Sequence, residues 1–335
     1  MERSMASERP GSQIIGTGAY APEKVLTNQD LARIVDTSDE WIRERTGITE
    51  RRVARDDEAA SDMAYAASVR ALEAAGLTAK DLDMIIVGTV TGDLPMPACA
   101  AILQRKLGVT TIPAFDISAA CAGFIYGLSI ADKFVRTAAC KRVLVVGVEL
   151  LSRVLNWQDR ATCVLFGDGA GAAVIGPAGD GDRGVLSTQL YTDATLVDSL
   201  CIRAGGSREP LTTEGLAEKR HKVFMVGSDI FKIAVKNLTS ASRSALDAAG
   251  FTPSDVTWVV PHQANLRIIA QVALRLDIPL ERFVLNIERY GNTSSASIPL
   301  ALDEGVRDGR IKPGDTVLMC ALGAGISWGS ALVRM

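Results

Sequence analysis

Short, largely apolar runs alternate along the chain with longer segments that have helical spacing. The runs at 83–89, 113–117 and 141–148 are rich in branched and small apolar residues, which is typical of strands covered on both faces of their sheet. The segments 61–75 and 98–107 alternate with these runs and are predicted to be helices. Strands and helices in this order predict an α/β fold with mostly parallel sheets.

The second half of the chain repeats the pattern of the first. The segment 71–81 closely matches 245–255, at an offset of 174 positions from 71 to 245, and each copy leads into an apolar run. The same offset places the apolar run at Val143 on the one at Val317. A constant offset across two separate elements indicates that the chain consists of two fused, similar α/β halves.

The duplication divides the chain into three parts. Residues 1–12 are polar and are expected to form a disordered extension, residues 13–178 the first half, and residues 179–335 the second half. Both halves are expected to share a central layer of helices between their sheets. This arrangement is a five-layer α-β-α-β-α sandwich.

A cysteine lies where a predicted strand turns into a helix. Cys121 follows the strand at 113–117, and the apolar face of a helix begins at Phe124. The first amide groups of a helix lack internal partners and carry partial positive charge. This position therefore predicts that the pKa of the thiol is lowered into the range of about 3.5–7.5. The alternative for a cysteine among alanines is a small, inert, buried residue.

Two further polar residues occupy matching places in the second half. His262 follows the predicted strand at 258–260, and Asn292 follows the one at 283–287 in a loop of small residues. Taken alone, each suits a capping or loop role. Since ligands bind outside the carboxyl ends of strands in such sheets, the duplication predicts that both lie beside Cys121. A thiolate can hold an acyl group, and histidine and asparagine can donate to an enolate oxygen.

Composition and charge narrow the classes of function. The 335 residues carry a net charge of −3, which gives no bulk attraction to nucleic acid or a membrane surface. No apolar run approaches the roughly 20 residues of a membrane span. The six cysteines are scattered without a C-x-x-C pair, which argues against disulfides and a metal site and predicts reduced thiols in the cytoplasm.

Several smaller motifs suggest binding roles. Trp41, Arg45 and Arg160 are candidates for an adenine and its phosphates, because arginine binds phosphate bidentately and stacks on planar rings. A half-buried tryptophan with surface arginines is the simpler alternative. The glycine-rich segment 166–171 matches no nucleotide-binding pattern and is expected to be a tight turn. The glycine turn at 322–325 is a candidate donor to an oxyanion, together with the Cys121 amide.

The chain resembles the β-ketoacyl-acyl-carrier-protein synthase III family of the thiolase-like superfamily, from about residue 14 to its end. The resemblance is carried by six motifs: DEWI with RTGI at 39–48, AACAGF at 119–124, FGDGAG at 166–171, PHQANLR at 261–267, GNTS at 291–294 and WGSAL at 328–332.

The resemblance implies a homodimeric acyltransferase that begins type II fatty-acid synthesis. Cys121 takes an acyl group from acyl-CoA, and malonyl-ACP then loses CO2. The resulting enolate, stabilised by His262 and Asn292, attacks the Cys121 thioester to give β-ketoacyl-ACP. No cofactor is implied beyond CoA thioester as substrate.

The resemblance also assigns binding residues by position. Trp41, Arg45 and Arg160 fall where the family holds CoA, and Asn265 falls where it holds the pantetheine arm. Lys232 and Arg267 fall where a basic patch receives the acidic carrier protein.

This sequence departs from the family pattern in two places. Met96 replaces a phenylalanine that closes the acyl channel from across the dimer, so a broader range of acyl groups is expected. Around Leu274, a basic pair of some members is reduced to Arg275.

Three other functions remain open at this point. A polyketide-type or signal-molecule-type condensing enzyme uses the same scaffold, because loops and pocket shape decide the substrate. A non-catalytic protein that binds acyl-CoA or the carrier protein is the alternative from another class. Covalent labelling of Cys121 by acyl-CoA distinguishes that protein from an enzyme.

Overall fold

The computed structural model describes residues 11–179 and 183–335. The extension expected at 1–12 lies outside the described residues as far as position 10. Ser12 already begins the first strand, where it pairs with Pro177.

The described residues form 13 strands and 11 α-helices. The strands are β1 (Ser12–Tyr20), β2 (Val25–Thr27), β3 (Glu50–Arg52), β4 (Met84–Gly88), β5 (Ala114–Ile117), β6 (Val143–Glu149), β7 (Gly169–Pro177), β8 (Gly184–Thr192), β9 (Leu200–Ile202), β10 (Val223–Met225), β11 (Trp258–Pro261), β12 (Thr316–Gly323) and β13 (Ser327–Arg334). The helices are α1 (Asn28–Leu31), α2 (Asp39–Thr46), α3 (Ala60–Ala74), α4 (Cys99–Lys106), α5 (Gly123–Arg136), α6 (Arg160–Cys163), α7 (Thr213–Ala217), α8 (Gly227–Ala249), α9 (Leu266–Leu276), α10 (Ile287–Tyr290) and α11 (Ser297–Arg307).

Two larger sheets repeat one strand order. The first has the order β1-β7-β6-β4-β5, and the second has the order β8-β13-β12-β11. Beside β11, an isolated bridge between Phe283 and Val259 stands in the place that β5 takes in the first sheet. The strand predicted at 283–287 is therefore reduced to this bridge, because Ile287 already begins α10.

The expectation of mostly parallel sheets is wrong. Only β4–β5, β4–β6 and β11–β12 pair in parallel among these strands, whereas β1–β7, β6–β7, β12–β13 and β13–β8 are antiparallel. Strands β6, β7 and β12, which all take part in antiparallel pairs, are buried along almost their whole length. Their apolar sequence is therefore the same as that of parallel strands. Hydrophobicity alone does not distinguish the two directions in such a case.

Helices cover both faces of each sheet and produce five layers. Helices α5 and α11 lie between the sheets, where Phe124 and Ile298 join one core with Val145 and Met319. The outer face of the first sheet is covered by α3 and α4, and that of the second sheet by α8 and α9. The expected α-β-α-β-α sandwich is confirmed.

The predicted offset of 174 positions recurs in backbone geometry. Ala120 has φ 45° and Ser294 has φ 49°, and each begins a single 3-10 turn before a helix of the central layer. The first sheet takes its strands from 12–177 and the second from 184–334. We propose on this basis that the two halves meet near residues 178 and 179.

Close backbone packing joins the 3-10 turn that begins at Ser294 to β6 of the first sheet. A Cβ atom built on Gly147 of β6 would lie 2.2 Å from the carbonyl oxygen of Ser295. We expect Gly147→Ala to lower the free energy of unfolding by about 3 kcal/mol, the upper part of the overpacking range, since the obstructing atom belongs to the backbone. Denaturant unfolding measures this loss. The control is Gly206→Ala, whose Cβ meets nothing within 4 Å; equal stability of the two variants would contradict the packing.

Candidate active site

A sharp turn at the end of β5 carries Cys121. Ala120 adopts the left-handed φ of 45°, and α5 begins two residues after the cysteine. The thiol is buried, and burial raises its pKa to about 12, with a further increase from the charge of Glu149. The expected lowering of this pKa is therefore wrong for the unliganded protein. The helix terminus does not offset the cost of charging a sulfur that is shielded from water.

His262 is held directly after β11. Its backbone N–H donates to the Cys320 carbonyl at 2.8 Å, and its side chain is buried. Burial lowers the pKa of the imidazole to about 3, so the ring is neutral at physiological pH. Nδ1 is buried and has no hydrogen-bond partner in the described part of the chain. A neutral imidazole can donate one hydrogen bond to a developing negative charge.

Asn292 is fixed by its backbone and by one side-chain bond. Its N–H donates to the Leu165 carbonyl at 2.8 Å, and its own carbonyl accepts from the Gly167 N–H at 3.0 Å. Its Oδ1 accepts from the Ser294 N–H at 2.8 Å. Because this bond orients the carboxamide, the Nδ2 amide is the donor that the side chain offers to a ligand.

One cavity of about 140 Å³ brings the three predicted residues together. Cys121, His262 and Asn292 all line it, although they come from different halves of the chain. Mainly apolar side chains complete its wall: Leu165, Phe166, Leu200, Met225, Ile230, Phe231, Ile268 and Leu322. The cavity therefore combines a nucleophile and two hydrogen-bonding side chains in an apolar setting.

The glycine turn at the end of β12 packs against the cysteine. A Cβ on Gly323 would lie 2.5 Å from the Cys121 backbone nitrogen, so glycine is needed for this close approach. Leu322, the preceding residue, lines the cavity. The turn is thus adjacent to the Cys121 amide, while its role as an oxyanion donor stays a prediction.

The residues predicted to hold CoA lie together. The Arg45 and Arg160 guanidinium carbons lie 4.8 and 5.1 Å from the centre of the Trp41 ring. Asn265 lines the cavity and donates from Nδ2 to the Arg45 carbonyl at 2.9 Å. Its Oδ1 accepts from the Arg267 N–H and caps α9. Asn265 therefore connects the tryptophan surface to the cavity.

The remaining predicted residues lie on the surface. Lys232 and Arg267 are exposed, and the Arg267 guanidinium lies 5.6 Å from the centre of the Phe231 ring, which lines the cavity. Met96 is 85% exposed and does not line the cavity of its own chain.

Comparisons with known proteins identify the family of this chain. The family described as 3-oxoacyl-[acyl-carrier-protein (ACP)] synthase III matches residues 115–194, and its C-terminal family matches residues 246–335. A β-ketoacyl-[acyl-carrier-protein] synthase III from Xanthomonas campestris pv. campestris is 53% identical over 98% of this chain and 99% of its own. The chain belongs to the β-ketoacyl-ACP synthase III family.

The chain is also similar to solved structures of related enzymes. The chain is similar to 3-oxoacyl-[acyl-carrier-protein] synthase III from Aquifex aeolicus VF5, with a TM-score of 0.89 and 46% identity over 97% of this chain and 100% of that one. It is also similar to the priming β-ketosynthase of the R1128 polyketide pathway, with a TM-score of 0.90 and 38% identity over 99% of each chain. The chain is thus a condensing acyltransferase with the thiolase-like fold.

The glycine-rich motif of this synthase III has a structural role. Asp168 in the segment 166–171 is buried and accepts from the Ala54 N–H at 2.8 Å and from the Ser152 N–H at 2.9 Å. Asp168 therefore holds two loops together beside the turn into β7.

None of the described helices meets the length and hydropathy of a membrane span, and no cluster of metal-ligating side chains occurs within 11–179 and 183–335.

Two residues near the synthase III cysteine were not predicted from the sequence. Glu149 ends β6 as a fully buried acid. The Ser294 hydroxyl donates to Glu149 at 3.2 Å, and this side chain opposes the rise in the pKa of the Cys121 thiol. Glu149 could have been identified from the sequence because it is an acid at the end of an otherwise apolar strand. Ser294 could have been identified from its offset of 174 positions from Ala120.

Proposed function

We propose that the cavity is the active site in which Cys121 takes an acyl group from acyl-CoA and passes it to malonyl-ACP. One observation carries the proposal: Cys121, His262 and Asn292 line the same cavity in a chain of the synthase III family. A thiol suits the first step because a thioester exchanges readily with another thiol, and the acyl-enzyme divides the condensation into two steps.

The second step uses the two hydrogen-bonding side chains. When the malonyl group loses CO2, negative charge develops on its thioester oxygen. Neutral His262 and the Nδ2 amide of Asn292 donate to that oxygen and stabilise the enolate. The enolate carbon then attacks the Cys121 thioester, which releases β-ketoacyl-ACP and the free cysteine. No cofactor enters this proposal, since CoA thioester is a substrate.

The tryptophan surface supports binding of the CoA nucleotide. The two arginines beside Trp41 bring positive charge to a flat aromatic ring, which suits an adenine and its phosphates. We propose that Asn265, between this surface and the cavity, holds the pantetheine arm.

Removal of the tryptophan ring tests this assignment. We expect Trp41→Ala to raise KM for acyl-CoA about tenfold and to leave kcat within a few-fold, because one stacking contact is worth about 1–3 kcal/mol. Steady-state kinetics with acyl-CoA measure the change. A short acyl thioester without the nucleotide is the control and is expected to react equally with both enzymes; an equal loss with it would contradict nucleotide binding at Trp41.

The basic residues beside the cavity support docking of an acidic carrier protein. Lys232 lies on α8 next to Phe231, and Arg267 packs over the same ring. We expect Lys232→Glu with Arg267→Glu to raise KM for malonyl-ACP at least tenfold and to leave Cys121 acylation by acyl-CoA unchanged. The control pair is Lys80→Glu with Lys312→Glu, two exposed lysines outside the cavity lining. Equal effects of the two pairs would contradict this docking surface.

A homodimer is the proposed assembly, with Met96 closing the acyl pocket of the partner. Its exposure of 85% in the single chain is compatible with burial by a second copy. A flexible thioether can fit acyl groups of different shape. The enzyme is therefore expected to accept a broader range of starter groups than acetyl alone.

A panel of acyl-CoA primers with malonyl-ACP tests the proposed function. The expected product is β-ketoacyl-ACP with release of CO2, detected by mass spectrometry, and Met96→Phe is expected to narrow the range of primers. The similarity to a polyketide priming enzyme favours one alternative function, that of a polyketide-type condensing enzyme. In that case only unusual acyl-CoA primers react. Absence of condensation with every primer would overturn the proposal.

A further inference from the structure

Glu149 is a buried acid that the proposed mechanism does not use. Its side chain lies at the carboxyl end of β6 and is completely buried. It accepts from the Val90 N–H at 3.2 Å and from the Thr91 hydroxyl. The Thr91 oxygen accepts in turn from the Leu150 N–H at 2.8 Å. These contacts fix the carboxyl group between the loop that follows β4 and the end of β6.

The turn that follows Asn292 is attached to this acid. The Ser294 hydroxyl donates to Glu149 Oε1 at 3.2 Å, and the Ser294 backbone N–H donates to Asn292 Oδ1 at 2.8 Å. The same residue therefore contacts the acid through its side chain and the carboxamide through its backbone. An asparagine oxygen bonded to the N–H two residues later forms an Asx turn, which leaves Nδ2 of Asn292 as the donor to the enolate.

The conformation of Ser294 depends on contacts with the first half of the chain. A φ of 49° is sparsely populated for a residue with a side chain, and it persists only where the surroundings hold it. The bond to Glu149 is one such contact. The Ser295 hydroxyl, which donates to the Gly88 carbonyl at 2.7 Å, is another. The direction of the Ser294 N–H, and with it the orientation of the carboxamide, therefore depends on Glu149.

The counterpart of this place in the other half of the chain is the active site itself. Glu149 ends β6 as Gly323 ends β12, at the same offset of 174 positions. Gly323 packs against the backbone of Cys121, which lines the cavity. At that offset the counterpart of Cys121 is Ser295, which is buried and bonded to a carbonyl. One of the two related strand ends thus forms the site, and the other anchors the turn that serves it.

We propose that Glu149, acting through Ser294, holds the Asn292 carboxamide in the orientation that donates to the enolate. Glu149 and Ser294 are positioning residues, since neither touches the substrate in this scheme. The inference rests on the proposed function and adds to it the residues that set the geometry of one enolate donor. It places the effect of Glu149 in the condensation step rather than in the acylation of Cys121.

The two half-reactions of Glu149→Gln, measured separately in the full-length enzyme, test this role. Both carboxylate oxygens of Glu149 accept hydrogen bonds, so the amide group of glutamine cannot replace either of them. We expect condensation with malonyl-ACP to fall about 10–100-fold, because a misplacement of about 1 Å can cost about 100-fold in rate. Acylation by acyl-CoA is expected not to slow, because the charge of Glu149 contributes to the raised pKa of the Cys121 thiol.

A double variant shows whether the acid acts through Asn292. In the Asn292→Ala background there is no carboxamide to position, so Glu149→Gln is expected to change condensation by no more than about twofold. Ser294→Ala removes the hydroxyl that joins the two residues and is expected to lose condensation in the same range as Glu149→Gln. If Glu149→Gln does not fold, Ser294→Ala and its double variant with Asn292→Ala decide the test.

The control is Asp303→Asn, another buried acid, which accepts from the Thr17 hydroxyl at 2.8 Å. We expect it to keep both half-reactions at the wild-type rates. Equal losses of acylation and condensation, wild-type condensation in a folded Glu149→Gln enzyme, or full additivity with Asn292→Ala would overturn the positioning role and leave the proposed function intact. A wild-type enzyme that forms neither an acyl-enzyme nor β-ketoacyl-ACP would overturn the proposed function.

Discussion

Cys121→Ser is expected to abolish acyl transfer from acyl-CoA. The serine hydroxyl is far less nucleophilic than a thiol whose proton can be removed, so no acyl-enzyme forms. Removal of a nucleophile costs several orders of magnitude in kcat. We therefore expect β-ketoacyl-ACP formation to fall by at least about 10⁴-fold, and intact-protein mass spectrometry to detect no acyl adduct.

The matched control for this substitution is Cys140→Ser. Cys140 is also buried but belongs to the core between the sheets and does not line the cavity. It is expected to keep wild-type acylation and turnover. Comparable loss in both variants, or an adduct on the Cys121→Ser protein, would contradict the assignment of the nucleophile.

His262→Ala and Asn292→Ala are expected to separate the two half-reactions. Each variant should still acylate Cys121 within about tenfold of the wild-type rate, because the proposed role of these side chains is to stabilise the enolate. Condensation with malonyl-ACP should fall about 10²–10³-fold in each variant, the usual loss for one donor to an oxyanion. Acyl-enzyme formation is measured by mass, and condensation is measured by CO2 release.

His221→Ala provides the control, because His221 is the other histidine of the chain and does not line the cavity. We expect both half-reactions to be unchanged in it. If His262→Ala loses acylation and condensation equally, the histidine acts on the thiol rather than on the enolate, and the proposed division of roles is wrong.

Much of the fold could be predicted from the sequence, because the main features of the fold are local or repeated along the chain. The strands at β4 and β6 are recognisable from their apolar runs, and the offset of 174 positions predicts that the turns at Ala120 and Ser294 are equivalent. The directions of β7 and β13 could not be predicted in this way, because buried strands have the same composition in parallel and antiparallel sheets. Direction depends on how the chain connects them.

The site was predictable in its positions but not in its electrostatics. Cys121 and His262 follow β5 and β11, Asn292 follows the short helix α10, and all three line one cavity, as the duplication predicts. The pKa of the thiol depends instead on burial and on Glu149, which is 28 positions away in sequence and near only after folding. Helix position alone therefore gave the wrong direction of shift.

The central claim is that two halves of one chain place a thiol, an imidazole and a carboxamide in a single acyl-transfer site. A crystal structure of the enzyme after reaction with acyl-CoA tests it most directly. The account predicts one acyl group on the Cys121 sulfur, inside the cavity and with the side chains of His262 and Asn292 lining the space beside its carbonyl carbon. An acyl group on any other residue, or an imidazole and carboxamide directed away from the thioester, would contradict it.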